Sequence, residues 1–416
     1  MERISQIALK MAALSVYGGV LRQPVCGAIY RLLCATSGEI REFAKAWGEF
    51  MQALLDANAA DRLTQAILQE VLYDQNAFSL KAAMCTEQLP TTLISAAERD
   101  LSVLLEEVAR ITPQEILESC LFSGEAKALG LPAWQTGEPE ALPCAAGASL
   151  VDWFAQFYRA HGCGIFAKYR AFVWREQTLI PVEYPDGTEL NDLKGYSEPR
   201  QAVLANTEAF LKGLPANNCL LYGDRGTGKS STVKAILNRY YTEGLRVIEM
   251  PKAFLTEFPA LVAQIADLPM KFIIFIDDLS FSQQDDTYAS LKAVLEGGVA
   301  AKPQNTLIYA TSNRRHLVRE TFSERQGDEI HRRDTIQENI SLADRFGLSV
   351  NFSMPGKEEY LHIVRELAKQ RGLEQYTVQL ELGAEQWALA RGGRSPRCAR
   401  QYMNAAEAKI KLGGNP

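Results

Sequence analysis

Hydrophobic positions along this chain follow one period in the first third and another in the second half. Up to residue 122 they recur at three- and four-residue steps. Ile40, Phe43, Trp47, Phe50 and Leu54 make one stripe, Leu63, Ile67 and Val71 a second, and Leu101, Leu104, Leu105 and Val108 a third. Such spacing places apolar side chains on one helical face, so residues 1–122 are expected to form an α-helical N-terminal domain. Pro90 and Pro113 suit helix starts or connections. Residues 1–21 read as one core-facing helix rather than a leader, because Gly18-Gly19 and Arg22 interrupt the apolar run. Between 123 and 149 the period disappears while Gly, Pro and Ala accumulate, which predicts a linker or loop. Residues 150–192 then read as a short helix (150–160) and two strands (164–175 and 179–182), closing at the turn Pro185-Asp186-Gly187 and leading into the core.

From residue 193 the pattern alternates between helix and strand. A helix over 195–214 precedes an apolar run at Cys219–Tyr222. Further strands are expected at 246–250, 272–276, 306–311 and 348–352, with helical stretches at 230–241, 253–266 and 288–295. Strands separated by helices imply a parallel sheet buried on both faces, here of five strands, forming an α/β core over 193–354. After Pro355 the helical period returns near 358–371, 384–390 and 396–411, predicting a small C-terminal helical lid over 355–416.

The junction of the first core strand and its helix carries the chemistry. Gly223-Asp224-Arg225-Gly226-Thr227-Gly228-Lys229-Ser230-Ser231 fits the phosphate-loop pattern G-x-x-x-x-G-K-S in a strand–loop–helix context. Glycines let backbone N–H groups converge on phosphate oxygens without a Cβ in the way, and the helix N-terminus adds its positive dipole end. Lys229 is expected to reach the β- and γ-phosphates and the Ser230 hydroxyl to sit on Mg²⁺. The apolar run at 272–276 ends in Asp277-Asp278. A carboxylate at that sheet edge, Asp277, can hold the metal shell, and the next, Asp278, can orient the attacking water. Asn313 follows another strand and is placed to hydrogen-bond the γ-phosphate or the water. Arg345 has the position of an arginine finger inserted from a neighbouring subunit, a contribution of about 10³–10⁵ in rate where it operates. Arg397 begins the last helix and competes with Arg391, Arg394 and Arg400 to reach the phosphates.

In this order and spacing the motifs resemble the AAA+ ATPase superfamily over about residues 190–416. Gly195-Tyr196, Leu221-Tyr222-Gly223-Asp224-Arg225-Gly226-Thr227-Gly228-Lys229-Ser230, Thr311-Ser312-Asn313-Arg314-Arg315 and Ser341-Leu342-Ala343-Asp344-Arg345-Phe346-Gly347-Leu348 narrow it. The chain is similar to a bacterial AAA+-type family known as the domain of unknown function numbered 815. That resemblance implies Walker A at Lys229 and Ser230, Walker B at Asp277 and Asp278, and sensor 1 at Asn313. It also implies the finger at Arg345, sensor 2 at Arg397, and an adenine pocket lined by Gly195 and Tyr196. ATP and Mg²⁺ are the implied cofactors, and a homo-oligomer sharing its sites is the implied assembly. Two departures matter. Asp278 stands where most AAA+ motors have Glu, one methylene longer, which favours slow turnover. Phe254 and Phe258 lack the following glycine of a substrate-threading loop.

Composition adds exclusions. A net charge of −6 and a pI near 5.5 give no global attraction to nucleic acid or an anionic membrane. No run approaches the roughly 18 apolar residues of a membrane span. Eight scattered cysteines without a C-x-x-C pair fit reduced thiols in the cytoplasm, and His161-Gly162-Cys163 lacks ligand partners at metal spacing. The expected function is an ATP-hydrolysing AAA+ switch or remodeller acting on an unidentified protein client. The alternatives are a helicase-loader-like switch using the basic residues between 391 and 411, or a nucleotide-binding scaffold. The charged stretch 316–338 is expected to order on ATP or on a neighbouring subunit.

Overall fold

The computed structural model describes residues 2–84, 89–137, 149–280, 286–296, 303–313 and 345–415. They fall into two compact units, Met1–Lys168 and Tyr169–Pro416. The stretch 316–338, with Arg314, Arg315 and residues 341–344, lies outside the described residues.

The first unit is helical, and the apolar stripes of the sequence form its core. The helices Pro24–Ala35, Ile40–Asp56 and Leu63–Leu72 bury Ile29, Leu32, Phe43, Trp47, Phe50, Leu54, Ile67 and Val71. The first helix spans Glu2–Ala12 and stops short of the expected residue 21. Its continuation is captured by a buried carboxylate: Asp100 Oδ2 accepts the N–H groups of Ser15, Val16 and Tyr17 at 2.8, 2.7 and 3.2 Å. A 3₁₀ helix, Gly18–Arg22, follows. Residues 131–137 have no regular structure yet carry Trp134 into the core, where its indole N–H donates to Ile111 O at 3.0 Å. The 4.9 Å edge-on contact of Trp134 with Phe50 continues that packing.

The second unit is built on one sheet with strands β1 (Ala171–Arg175), β2 (Thr178–Pro181), β3 (Cys219–Gly223), β4 (Leu245–Glu249), β5 (Lys271–Ile276), β6 (Thr306–Ser312) and β7 (Leu348–Phe352). Their order is β2-β1-β4-β5-β6-β3-β7, and neighbouring strands are parallel except β1 with β2. The sheet thus has seven strands, not the expected five. The hairpin expected to lead into the core is part of it: β1 pairs with β4 in the register Ala171↔Val247. Its turn uses Glu176 and Gln177 at φ 48° and 57°, the left-handed geometry of a tight hairpin. The first strand starts at Ala171, later than the expected residue 164, because Ile165–Lys168 forms a helical turn.

Phe272 through Ile276 of β5 are all buried, as a strand covered on both faces requires. On one face the helices Ser197–Leu211 and Lys229–Tyr240 contribute Val203, Phe210, Val233 and Ile236 against Leu221, Ile273 and Tyr309. The chain ends in three helices, Lys357–Gln370, Thr377–Ala390 and Pro396–Lys411, around their own core of Tyr360, Leu367, Leu380, Ala384 and Met403. Ser395 caps the last of them, its Oγ accepting from Cys398 N at 3.1 Å. Parallel pairing brings the C-terminal ends of β3, β5 and β6 to one edge of the sheet, where open α/β sheets bind ligands.

Candidate functional site

The loop after β3 depends on its glycines at specific points. Gly223 has φ 129°, and a Cβ there would stand 2.3 Å from the Phe352 carbonyl oxygen of β7. Only glycine lets the two strands stay paired to this end while the chain turns away. Gly226 (φ 78°) would press a Cβ to 3.0 Å from Ser395 Oγ, whereas Gly228 (φ 97°) faces open space. Thr227 Oγ1 donates to Asp224 O at 2.8 Å and closes the loop on itself. Lys229 opens the following helix, and its ammonium donates to Gly223 O at 2.8 Å and Asp224 O at 2.6 Å. Burial lowers the pKa of that ammonium; Asp224, Asp277 and Asp278 pull it back up, and Arg397 adds to the fall.

Two further segments meet this helix start. Ser230 Oγ donates to Asp277 Oδ1 at 2.6 Å, and Thr311 Oγ1 donates to the same oxygen at 2.5 Å. Asp278, in the left-handed region at φ 51°, has its N–H on Thr311 Oγ1 at 2.9 Å and its Oδ1 accepting from Asn313 Nδ2 at 2.6 Å. Asn313 Oδ1 in turn lies 3.5 Å from Lys229 Nζ. Side chains expected from separate motifs therefore form one connected group.

That group lines a cavity of 520 Å³, together with Arg225, Gly226, Thr227, Gly228 and Ser231 from the loop and helix and Arg397 from the C-terminal helices. Arg397 also donates its backbone N–H to Gly226 O at 3.1 Å. The residues present suit a magnesium triphosphate. Lys229 is held by neutral carbonyls that anionic oxygens would outcompete, Gly228 leaves room beside it, and Ser230 with Asp277 offers the oxygen donors a hard cation takes. Among the described residues there is no cluster of three His, Cys, Asp or Glu to suggest a metal cage.

Other expected site residues lie elsewhere. Gly223 and Asp224 are not in the cavity lining; their carbonyls hold Lys229, and Asp224 Oδ2 accepts from Met354 N at 2.6 Å, tying the loop to the chain leaving β7. Tyr196, at φ 55°, stacks on Phe352 at 5.5 Å and donates its hydroxyl to Ser353 O at 2.6 Å. Gly195 (φ 71°) has Ile363 Cδ1 3.0 Å from where its Cβ would be. Both residues fill the seam between the sheet and the C-terminal helices, and Leu193 and Lys194 line the cavity just before them. Arg345 precedes β7. Since Leu348 pairs with Cys219 and Phe352 with Gly223, Arg345 belongs to the sheet edge opposite the phosphate loop. At about 3.3 Å per strand residue the separation is on the order of 16 Å. Sequence reasoning passed over Thr311, Arg200 and Lys194, which also line the cavity. The hydroxyl at the end of β6 was the available signal for Thr311, and nothing in the local pattern marked Arg200.

A model of the family "Protein of unknown function (DUF815)" matches residues 167–410, more than half of the chain, and the chain belongs to that family. Among curated proteins it is similar to the proteasome-activating nucleotidases of Methanococcus maripaludis strains C7 and C6, each 27% identical over 209 residues covering 47% of this chain and 49% of the relative. The chain spans about half the length of these relatives. Among solved structures, one variant of Thermotoga maritima RuvB aligns with a TM-score of 0.38 and 14% identity over 55% of this chain and 67% of that one. Another aligns with a TM-score of 0.32 and 14% identity over 53% and 72%. The architecture is an α/β P-loop NTPase fold with additional helices.

Proposed function

We propose that this family member binds ATP with Mg²⁺ in the cavity at the C-terminal edge of the sheet and hydrolyses it slowly to switch or remodel a protein client. One observation carries the reading: Ser230–Asp277 at 2.6 Å and Asn313–Asp278 at 2.6 Å join three segments distant in sequence at the mouth of a glycine-lined helix start. In this reading the loop amides and Lys229 grip the phosphates. Ser230 and Asp277 hold the metal, which supplies charge neutralisation at the phosphate oxygens when bound. Asp278 accepts a proton from water that Asn313 helps to orient. Its carboxylate, one methylene shorter than that of glutamate, fits a slow, switch-like rate. The C-terminal helices act as the lid, with Arg397 its reporter on the phosphates. Arg345 serves the site of a neighbouring copy, since its own lies at the other edge of the sheet. The helical N-terminal unit holds the client, in a reducing compartment such as the cytoplasm; the six described cysteines are free.

Polypeptide threading has less support. Phe258 is buried in the core and Phe254 is half-buried, so neither is displayed on a free loop. The loader reading weakens because the basic residues near the C-terminus are engaged internally. Arg394 pairs with Glu385 at 2.7 Å, Lys411 with Glu407 at 2.7 Å, and Arg391 lies 4.0 Å over the Trp387 ring.

Mixing Lys229→Ala with Arg345→Ala subunits tests the shared site. Each variant alone is expected to be inactive in ATP hydrolysis, and the mixture to recover a fraction of the wild-type rate. A mixture as inactive as its components contradicts an arginine acting between copies.

A further inference from the structure

Arg200 sits in the first turn of the helix Ser197–Leu211, where a cation opposes the helix dipole. Its side chain is half-buried and lines the same cavity as the phosphate loop. Among the described residues its guanidinium has no carboxylate or hydrogen-bond partner, and burial alone lowers its pKa, with no acid nearby to raise it. Several other arginines in this unit are satisfied by protein groups. Arg394 forks onto Glu385, Arg371 meets Glu407 at 2.9 Å, and Arg400, also at the cavity, donates to Asp192 O at 3.1 Å. The deeply buried Arg246 donates to Tyr241 O and Leu245 O. A desolvated cation without a counter-charge weakens the fold unless a ligand supplies the charge.

The charge lining the cavity points the same way. Among the described residues that line it, Lys194, Arg200, Arg225, Lys229, Arg397 and Arg400 face two carboxylates, Asp277 and Asp278. Both of these are already drawn toward hydroxyl and amide donors: Ser230 and Thr311 on Asp277, Asn313 on Asp278. The surplus is cationic, and Arg200 is a member of it that opposes its own helix dipole and has no ion pair among the described residues.

We infer that Arg200 is a nucleotide-phosphate ligand, contributed by the helix before β3 and distinct from the phosphate-loop lysine and from Arg397. The inference rests on the proposed nucleotide site and adds a contact that none of its motifs contains. Arg200 is spent on the ligand, so its removal relieves the empty protein and penalises the complex. A purely packing role has the opposite signature, since losing the side chain then costs stability whether or not ligand is present.

The test uses the full chain with Mg²⁺ and compares wild type, Arg200→Met, Arg200→Lys and Lys229→Ala. Equilibrium affinities for ATP, ADP and adenosine are measured, together with the melting temperature without ligand. Arg200→Met keeps the aliphatic stem and removes the charge. It is expected to bind ATP and ADP about 10- to 100-fold more weakly, the range of one or two charge-assisted hydrogen bonds, with adenosine affinity unchanged. Its ligand-free melting temperature should be equal or higher, and Arg200→Lys should fall between. Unchanged ATP and ADP affinity, an equal loss for adenosine, or a lowered ligand-free melting temperature with intact affinity each overturn the inference. In those cases a wild type that binds ATP and a Lys229→Ala that does not leave the nucleotide site standing. A wild type that binds no nucleotide overturns both.

Discussion

The two units dispose of their buried polar groups in different ways. In the helical unit Asp100, fully buried, is satisfied by three backbone N–H groups and paired with Arg99 at 2.9 Å. Glu70 does the same for the start of the helix Pro24–Ala35, accepting Val25 N at 2.8 Å and Cys26 N at 2.7 Å. Trp47 donates to Pro132 O at 2.8 Å. Those contacts close on protein. In the α/β unit Lys229, Asp277, Asp278, Asn313 and Arg200 also sit together, but around a space. Lys229 makes do with carbonyls of its own loop, and Arg200 has no partner among the described residues. Polar groups that satisfy one another specify structure, and polar groups gathered round a hollow await a ligand.

The contrast breaks most easily at Asp100. Asp100→Ala removes the acceptor of three N–H groups, of which that of Tyr17 is buried; at about 1–3 kcal/mol for a fully unsatisfied donor and less for those that water reaches, a loss of about 2 kcal/mol or more is expected. Denaturant unfolding of the full chain should show it, with ATP affinity of the folded protein unchanged. An equally stable variant would mean that this unit does not depend on its internal pairing.

Two glycines sharpen the comparison within the site. Gly223→Ala drives a Cβ into the Phe352 carbonyl at 2.3 Å and holds a strained φ, at about 1–3 kcal/mol for the backbone strain alone. Stability and nucleotide binding should fall together. At Gly228 the space is open, so Gly228→Ala should cost stability only about 1–2 kcal/mol from its positive φ while weakening nucleotide binding more. If the two variants behave alike, the loop's glycines serve chain geometry only.

Much of this arrangement was legible beforehand, for physical reasons. Phosphate chemistry restricts a loop to particular residue types, so Gly223 to Ser231 announced themselves. A strand buried on both faces must be apolar, so the run before Asp277 stood out. The size of the sheet was not legible, because the pairing of Ala171 with Val247 joins segments far apart and leaves no local trace. The end of the first helix escaped for the same reason: Asp100 captures Ser15 to Tyr17 from a distant helix. The contacts of Tyr196, read toward a base pocket, were not legible either: its ring lies on Phe352 and its hydroxyl on Ser353 O, both far along the chain. Arg200 was invisible because an arginine in a first turn looks like ordinary surface until the fold brings it to the cavity.

The smallest expected effect concerns Asp186, in the chain after β2, where it meets Lys234 of the phosphate-loop helix. Asp186 accepts from Thr188 Oγ1 at 2.6 Å and meets Lys234 at 3.1 Å, and these donors hold its pKa near 2, below the ordinary 3.8. A depressed folded-state pKa gives stability present above the unfolded value and lost as pH falls through the folded one. The stability difference between wild type and Asp186→Asn should be small and flat above about pH 4, then shrink toward pH 2. A difference that grows on acidification would reverse the assignment.

Calorimetric titration of ATP with Mg²⁺ into the full chain and into Lys229→Ala tests the central claim most directly. The account predicts saturable binding by the wild type and a loss of about 100-fold or more in a variant that remains folded. Equal affinity in the two proteins, or no binding by the wild type, would contradict it.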